Sequence, residues 1–153
     1  MQLTQFTDYS LRILLYLAHN PPQDGERLPA VLDISRAYGI STNHLSKVAR
    51  LLVQNGFVKA TRGRNGGLQL ARTPEEINLG EVVRRSEPHF DLVECFDMRS
   101  NSCPITSACM IKAVLAESKR QFLGVLEKQT LADVAGTRAK LVQLWRGPKP
   151  GTR

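Results

Sequence analysis

The stretch from Pro29 to Ala71 constrains the fold more than any other. Pro29 to Tyr38 predicts a helix with proline in its first turn and Val31, Ile34 and Ala37 on one face. Gly39-Ile40-Ser41 follows as a tight turn, the glycine free to take a positive φ and the serine placed to cap the next helix. Thr42 to Asn55 is that helix, with Leu45, Val48, Ala49 and Leu52 as its buried side. A hairpin comes directly after. Phe57–Thr61 and Leu68–Ala71 read as paired strands, and Asn65-Gly66 between them is a strong turn signal. Two short helices on a glycine turn, followed by a basic hairpin, read as a winged helix-turn-helix, whose second helix enters the major groove of DNA. The glycines do not form a nucleotide loop, since neither a Walker ending nor G-x-G-x-x-G spacing is present.

Charge supports that reading. The chain carries a formal +7, from 21 Lys and Arg against 14 Asp and Glu. Between Arg36 and Arg72 lie seven basic residues (Arg36, Lys47, Arg50, Lys59, Arg62, Arg64, Arg72) and no acid. The remaining 14 basic and 14 acidic residues cancel, so the whole excess falls in this block. An ordinary solvated face mixes signs; a one-signed block is the footprint of a phosphate-binding surface. Candidate contacts to double-stranded DNA are Ser41, Thr42, Asn43, His44, Lys47 and Arg50 on the helix, and Arg62, Arg64 and Asn65 on the wing.

The flanks supply the frame. Thr7 to His19 predicts a first helix, with Thr7 as N-cap, Asp8 in the first turn, and Leu11, Leu14, Leu15 and Ala18 as the buried stripe. Arg12, four residues after Asp8, is placed to pair with it. Thr73-Pro-Glu-Glu76 is a helix start, and the element runs to Ser86. From Thr106 to Lys128 a long helix carries Ile111, Leu115, Ser118, Phe122 and Val125 near a 4-3-4-3 spacing, the seam of a helix that packs along a second copy. Thr130–Asp133 restarts a helix, Lys140–Trp145 continues it, and Gly147–Arg153 is expected to be disordered. The expected class is mainly α with a small β-hairpin. Residues 1–86 form the winged helix-turn-helix, 87–105 a cysteine-rich loop, 106–146 a dimerisation helix with C-terminal helices, and 147–153 a tail.

All three cysteines, Cys95, Cys103 and Cys109, fall in one segment rich in Ser, Asn, Asp and Pro. Free cysteine usually packs as a small hydrophobe, but this segment is made of loop formers. A disulfide framework is disfavoured by the odd count and by a chain long enough to bury a core without staples. Thiolate ligation of a metal remains, either zinc with a fourth ligand or an iron–sulfur cluster; the spacing does not decide between them. His89 lies nearby and reads as solvent-facing or structural.

Four stretches together resemble the Rrf2 family of bacterial regulators. They are the opening Met1-Gln-Leu-Thr-Gln-Phe-Thr-Asp-Tyr-Ser-Leu-Arg12, the turn Tyr38-Gly-Ile-Ser-Thr-Asn-His44, the wing Gly63-Arg-Asn-Gly-Gly-Leu68, and the three-cysteine loop. The resemblance spans roughly residues 1 to 135 and is nearest to the family's nitric-oxide-sensing repressors. It implies a homodimer on operator DNA, with one iron–sulfur cluster (2Fe-2S or 4Fe-4S) per subunit held by Cys95, Cys103 and Cys109. It also implies a fourth ligand, Asp8, from the other subunit. The family's regulators of iron–sulfur biogenesis use a histidine three residues after the last cysteine; here that position is Lys112, which has no lone pair to offer while protonated. The interval between Cys95 and Cys103, seven residues, is longer than in several members. The resemblance implies that nitric oxide, as signal, breaks the Asp8 link and releases the operator. An iron–sulfur-status or redox regulator, and a zinc-stabilised DNA-binding protein without sensing, are the alternatives.

Other classes fit less well. No Ser-His-Asp order or paired-carboxylate motif suggests an enzyme. No apolar run reaches the ~18 residues of a membrane span, and the N-terminus lacks a basic and apolar leader pattern, so a cytoplasmic protein is expected.

Overall fold

The computed structural model describes residues 2–146. Its first helix, α1 (Gln5–His19), is the axis of the fold, and several other elements pack against it. Thr4, not Thr7, caps it, its hydroxyl accepting from the Thr7 amide at 3.4 Å. Thr7 is buried instead, and so are Ser10, Ile13, Leu14 and Leu17. These positions recur at three- and four-residue steps along one face. Of the expected stripe only Leu14 is buried; Leu11, Leu15 and Ala18 lie at the edge of the core.

α2 (Val31–Tyr38) starts two residues later than expected. Leu28 and Pro29 are held outside it. The Leu28 amide donates to the Asn65 carbonyl at 3.2 Å, and the Pro29 carbonyl accepts from the Leu68 amide at 2.8 Å. The first turn of α2 is then closed by Asp33, whose carboxylate accepts from the Ala30 amide at 2.7 Å. Gly39 ends α2 in the left-handed region, φ 70°, as its place in the turn requires. α3 (Thr42–Gln54) follows and buries Leu45, Val48, Ala49 and Leu52.

Strands β1 (Val58–Thr61) and β2 (Gly67–Leu70) pair antiparallel, from Val58 opposite Leu70 to Thr61 opposite Gly67. The turn differs from the expected one. The Gly66 amide bonds the Gly63 carbonyl at 3.0 Å, so Arg64 and Asn65 form its centre. Gly63, φ 108°, takes the positive φ, and the two-residue Asn-Gly turn is not formed. A longer loop results, which carries both wing arginines on its tip.

A single 3-10 turn, Pro74–Glu76, leads to α4 (Leu79–Ser86), capped by Asn78 through the Glu81 amide at 3.1 Å. Two further 3-10 turns, Glu94–Phe96 and Thr106–Ala108, lie in the cysteine segment. α5 (Met110–Glu127) therefore begins four residues later than predicted. α6 (Leu131–Ala135) and α7 (Arg138–Arg146) complete the chain. The tail expected from 147 lies outside the described residues.

The core gathers α1 to α3, the hairpin, α4 and α6 into one cluster from Ile13 to Leu131. Each of its fully buried aliphatic side chains contributes about 1.5–3 kcal/mol by leaving water. α5 packs most closely near its C-terminal end. There Leu123 is buried, the Asn78 side-chain Nδ2 donates to the Glu127 carbonyl at 2.7 Å, and Gly80 lies against Glu127. Its first turns stand clear of the core. Ile111, Val114 and Val125 are each more than 60% exposed, whereas Leu115 and Phe122, placed on the expected seam, are half-buried and line a groove against Leu3, Phe90 and Leu92. The apolar face available to a second copy is therefore Met110, Ile111, Val114 and Val125, with Ser118 between them.

α7 closes back on the helix-turn-helix. Trp145 packs on Tyr16 at 5.0 Å and edge-on to Tyr38 and His19 at 5.8 and 5.9 Å between ring centroids. His19 is buried and lies 2.6 Å from the Ala135 carbonyl, so its Nε2 carries the proton and donates.

Candidate nucleic-acid interface and metal centre

Helix α3 turns its apolar residues to the core and leaves the opposite face bare. Ser41, Asn43, His44, Lys47 and Arg50 are exposed there, and Thr42 is half-buried. Ser41 occupies the N-cap position, but its side chain does not make the cap bond expected from the sequence. Arg62, Arg64 and Asn65 are exposed on the wing. Of the seven basic residues in the positive block, Arg72 alone is not exposed. It pairs with Glu81 at 3.1 Å and covers the Phe57 ring at 4.8 Å, tying the hairpin to α4. The other six are exposed and open to phosphate.

α1 touches the helix-turn-helix at two points. Tyr9 stacks on His44, and the Arg12 guanidinium lies 5.7 Å from the centre of the Tyr38 ring. Asp8 immediately precedes Tyr9 on the same helix. It pairs with Arg12 through both oxygens, at 2.8 Å each, as the spacing predicts, and remains partly open to solvent.

The cysteine segment is a polar loop with its own hydrogen-bond skeleton. At its tip Asp97 accepts from the Arg99 amide and the Ser100 hydroxyl, both at 3.0 Å. These two donors hold the Asp97 carboxyl below the usual range, the Arg99 amide being the larger influence. Glu94 accepts from the amide and hydroxyl of Ser102 and is likewise held low, the amide again leading. Asn101 accepts from the Cys103 amide at 3.1 Å and donates to the Thr106 hydroxyl. That hydroxyl donates onward to the Cys103 carbonyl at 2.8 Å. Cys95 lies within the 3-10 turn Glu94–Phe96, whose Phe96 ring sits under the Lys119 ammonium of α5 at 4.5 Å. Cys109 is the N-cap of α5, beside the positive end of that helix.

All three thiols are free and half-buried. As donors they suit a soft metal centre, iron–sulfur or zinc. Among the described residues no three His, Cys, Asp or Glu side chains converge into a group able to hold a metal ion. His89 is exposed and faces Asp91, and Lys112 occupies the first turn of α5. The seven-residue interval gave no sign in the sequence of the bonds that span it. They depend on Glu94, Asn101, Ser102 and Thr106, which read there only as loop formers.

The family model for Rrf2, described as an iron-dependent transcriptional regulator, matches residues 3–137. The chain belongs to the Rrf2 family. It is 48% identical over 134 residues to the HTH-type transcriptional regulator NsrR of Shouchella clausii, covering 88% of each chain. It is 46% identical over 144 residues to NsrR of Bacillus subtilis, covering 94% of this chain and 97% of the relative. Among solved structures, IscR of T. potens superposes with a TM-score of 0.67 at 24% identity, over 98% of this chain and 94% of that one. CymR of B. subtilis, titled the global cysteine regulator, gives 0.67 at 22% identity, over 88% and 96%. These structures share the Rrf2 fold, mainly helical with a small two-stranded sheet, as expected from the sequence. Like its Rrf2 relatives, the protein is a DNA-binding transcriptional regulator and not an enzyme. No helix among the described residues is long and apolar enough to cross a membrane.

Proposed function

We propose that the protein is a homodimeric repressor that binds double-stranded operator DNA and responds to nitric oxide through an iron–sulfur cluster. Three free thiols on one polar loop carry the reading, in a chain nearly half identical to regulators named NsrR. Cys95, Cys103 and Cys109 hold the cluster, and Asp8 of the partner subunit completes it. Bound there, the cluster supplies a site that reacts with nitric oxide.

The chain's own residues do the rest. Asn43, His44, Lys47 and Arg50 present α3 to the major groove, and Arg62 and Arg64 hold the wing on phosphate. The exposed Ile111, Val114 and Val125 face of α5 buries itself against the same face of a second copy, which fixes the spacing of the two α3 helices. Half-sites should then lie about one helical turn apart. Asp8 changes partners with the signal: engaged across the dimer it leaves Arg12 free, and released it returns to the Arg12 pair seen here. Both residues sit on the helix that carries Tyr9 against His44, so the exchange bears directly on the reading helix.

Anaerobic purification with iron and sulfide analysis tests the cofactor: a brown protein with both elements is expected, and a colourless zinc protein contradicts the reading. Asp8→Ala tests the fourth ligand. Cluster stability and the nitric-oxide response should both change; if neither does, the cross-subunit assignment is wrong.

A further inference from the structure

The loop between Cys95 and Cys103 is tied across its neck by one carboxylate oxygen. Glu94 Oε1 accepts from the Ser102 amide at 2.6 Å and from the Ser102 hydroxyl at 2.7 Å. Glu94 immediately precedes Cys95, and Ser102 immediately precedes Cys103. Each cysteine is thus one peptide unit, ~3.8 Å along the chain, from the same tie. The seven residues between the thiols form a closed loop whose tip is separately fixed by Asp97. On the far side Asn101 and Thr106 hold the Cys103 peptide at its amide and its carbonyl. On the near side Lys119 covers Phe96 and anchors the Cys95 turn to α5.

Closing a loop costs conformational entropy whether the closing agent is a side chain or a metal. A loop already closed at its neck leaves less of that cost to the metal, the same logic by which preorganisation raises affinity. We infer that Glu94 is a positioning residue for the thiol site, holding Cys95 and Cys103 in register through Ser102 before any metal binds. The purpose assigned to the tie rests on the metal-site reading above; the tie itself does not. It touches neither thiol and acts only through the backbone. Both hydrogen bonds end on a single oxygen, so the amide oxygen of Gln can replace it, whereas Ala removes both.

The test uses the full-length chain, stripped of metal, with Cys109→Ser to isolate the pair. The thiol–disulfide equilibrium of Cys95 and Cys103 is measured against reduced and oxidised glutathione, which reports the effective concentration of one thiol at the other. The two thiols give up two electrons and two protons to oxidised glutathione, which leaves as two reduced molecules. Glu94→Ala should lower the effective concentration by roughly fivefold, the scale of losing one modest hydrogen-bonded tie. Glu94→Gln should stay within about twofold of the parent by the same reasoning. Ser102→Ala, which keeps the amide donor, should fall between them. Thermal unfolding separates this effect from general damage, since an exposed residue far from the core should leave the melting temperature unchanged. An unaltered equilibrium in Glu94→Ala overturns the inference, and so does a Glu94→Gln loss as large as that of Ala. Iron retention in the anaerobic protein forms a second arm. Should the parent bind no iron, the cluster reading fails while the glutathione equilibrium still decides the role of Glu94.

Discussion

Thr7 donates its hydroxyl proton to the hydroxyl of Ser86 across 2.9 Å in the buried seam between α1 and α4. Ser86 passes its own proton back to the Val82 carbonyl at 2.8 Å, so each hydroxyl in the pair is satisfied. One turn nearer the N-terminus, Glu87 accepts from the amide of Thr4 at 2.7 Å and from its hydroxyl at 3.1 Å. α1 and the end of α4 are therefore fastened by two polar contacts. One of these helices carries Asp8, and the other delivers the chain into the cysteine loop.

Replacing Thr7 with Val keeps the shape and removes the donor. Stability should fall by about 1 kcal/mol, the usual net worth of one buried hydrogen bond. Denaturant unfolding measures it directly, and an unchanged midpoint would show that the Thr7–Ser86 contact contributes nothing.

The same contact explains what the sequence conceals. The hydropathic stripe of α1 picks out Leu11, Leu14, Leu15 and Ala18, because Thr7 and Ser10 do not count as apolar. Both are nevertheless buried, and they extend the face of Ile13, Leu14 and Leu17 toward α4. α2 starts late for a comparable reason. Leu28 and Pro29 are bonded to the hairpin, where Gly67 lets their backbone approach so closely that a Cβ would meet the Leu28 and Pro29 carbonyls at 2.6 Å. No local propensity carries that contact. On α5 the spacing finds an apolar helix but cannot tell its two faces apart. Leu115 and Phe122 turn toward their own chain, and Val114, off the expected seam, faces outward. The helix-turn-helix and hairpin were legible because their signals are local: a left-handed Gly39, a four-residue buried side on α3, and two short strand-forming runs on either side of a glycine-rich turn. The aromatic contacts of Trp145 join residues too distant in sequence for any periodicity to reveal.

The DNA contacts divide by role. Arg64→Ala should weaken binding to every sequence alike and lower the slope of log affinity against log salt by about 1. Asn43→Ala should leave that slope alone and cost about 1–3 kcal/mol on the operator only. Fluorescence-anisotropy titrations at several salt concentrations distinguish the two patterns.

Dimerisation through the outward face of α5 places Val114 in the contact. Val114 is 63% exposed in the single chain, so Val114→Asp should fold normally. A carboxylate forced into an apolar interface should weaken the dimer by on the order of 3 kcal/mol, roughly a hundredfold in dissociation constant. Sedimentation velocity reads the shift to monomer, and an undisturbed dimer would move the interface elsewhere.

Burial, opposed by a hydrogen bond with Trp145 and by the nearby Arg12 charge, pushes the Tyr38 hydroxyl up to about 12, from an ordinary value of about 10. The folded state holds this proton more tightly than the unfolded chain. The resulting stability is fully present below pH ~10 and is lost as pH rises from there through ~12. Tyr38→Phe should flatten the unfolding midpoint across that alkaline window. Should the parent and the variant lose stability in parallel, Tyr38 is not the group responsible.

Operator occupancy before and after nitric oxide is the most direct measurement of the central claim. Protein purified without oxygen and shown to contain iron and sulfide is bound to operator DNA, and stoichiometric nitric oxide is added while anisotropy is followed. Release of the DNA, together with loss of the cluster's visible absorbance, is the predicted result. Retention of the operator at unchanged affinity after the absorbance has gone would contradict it.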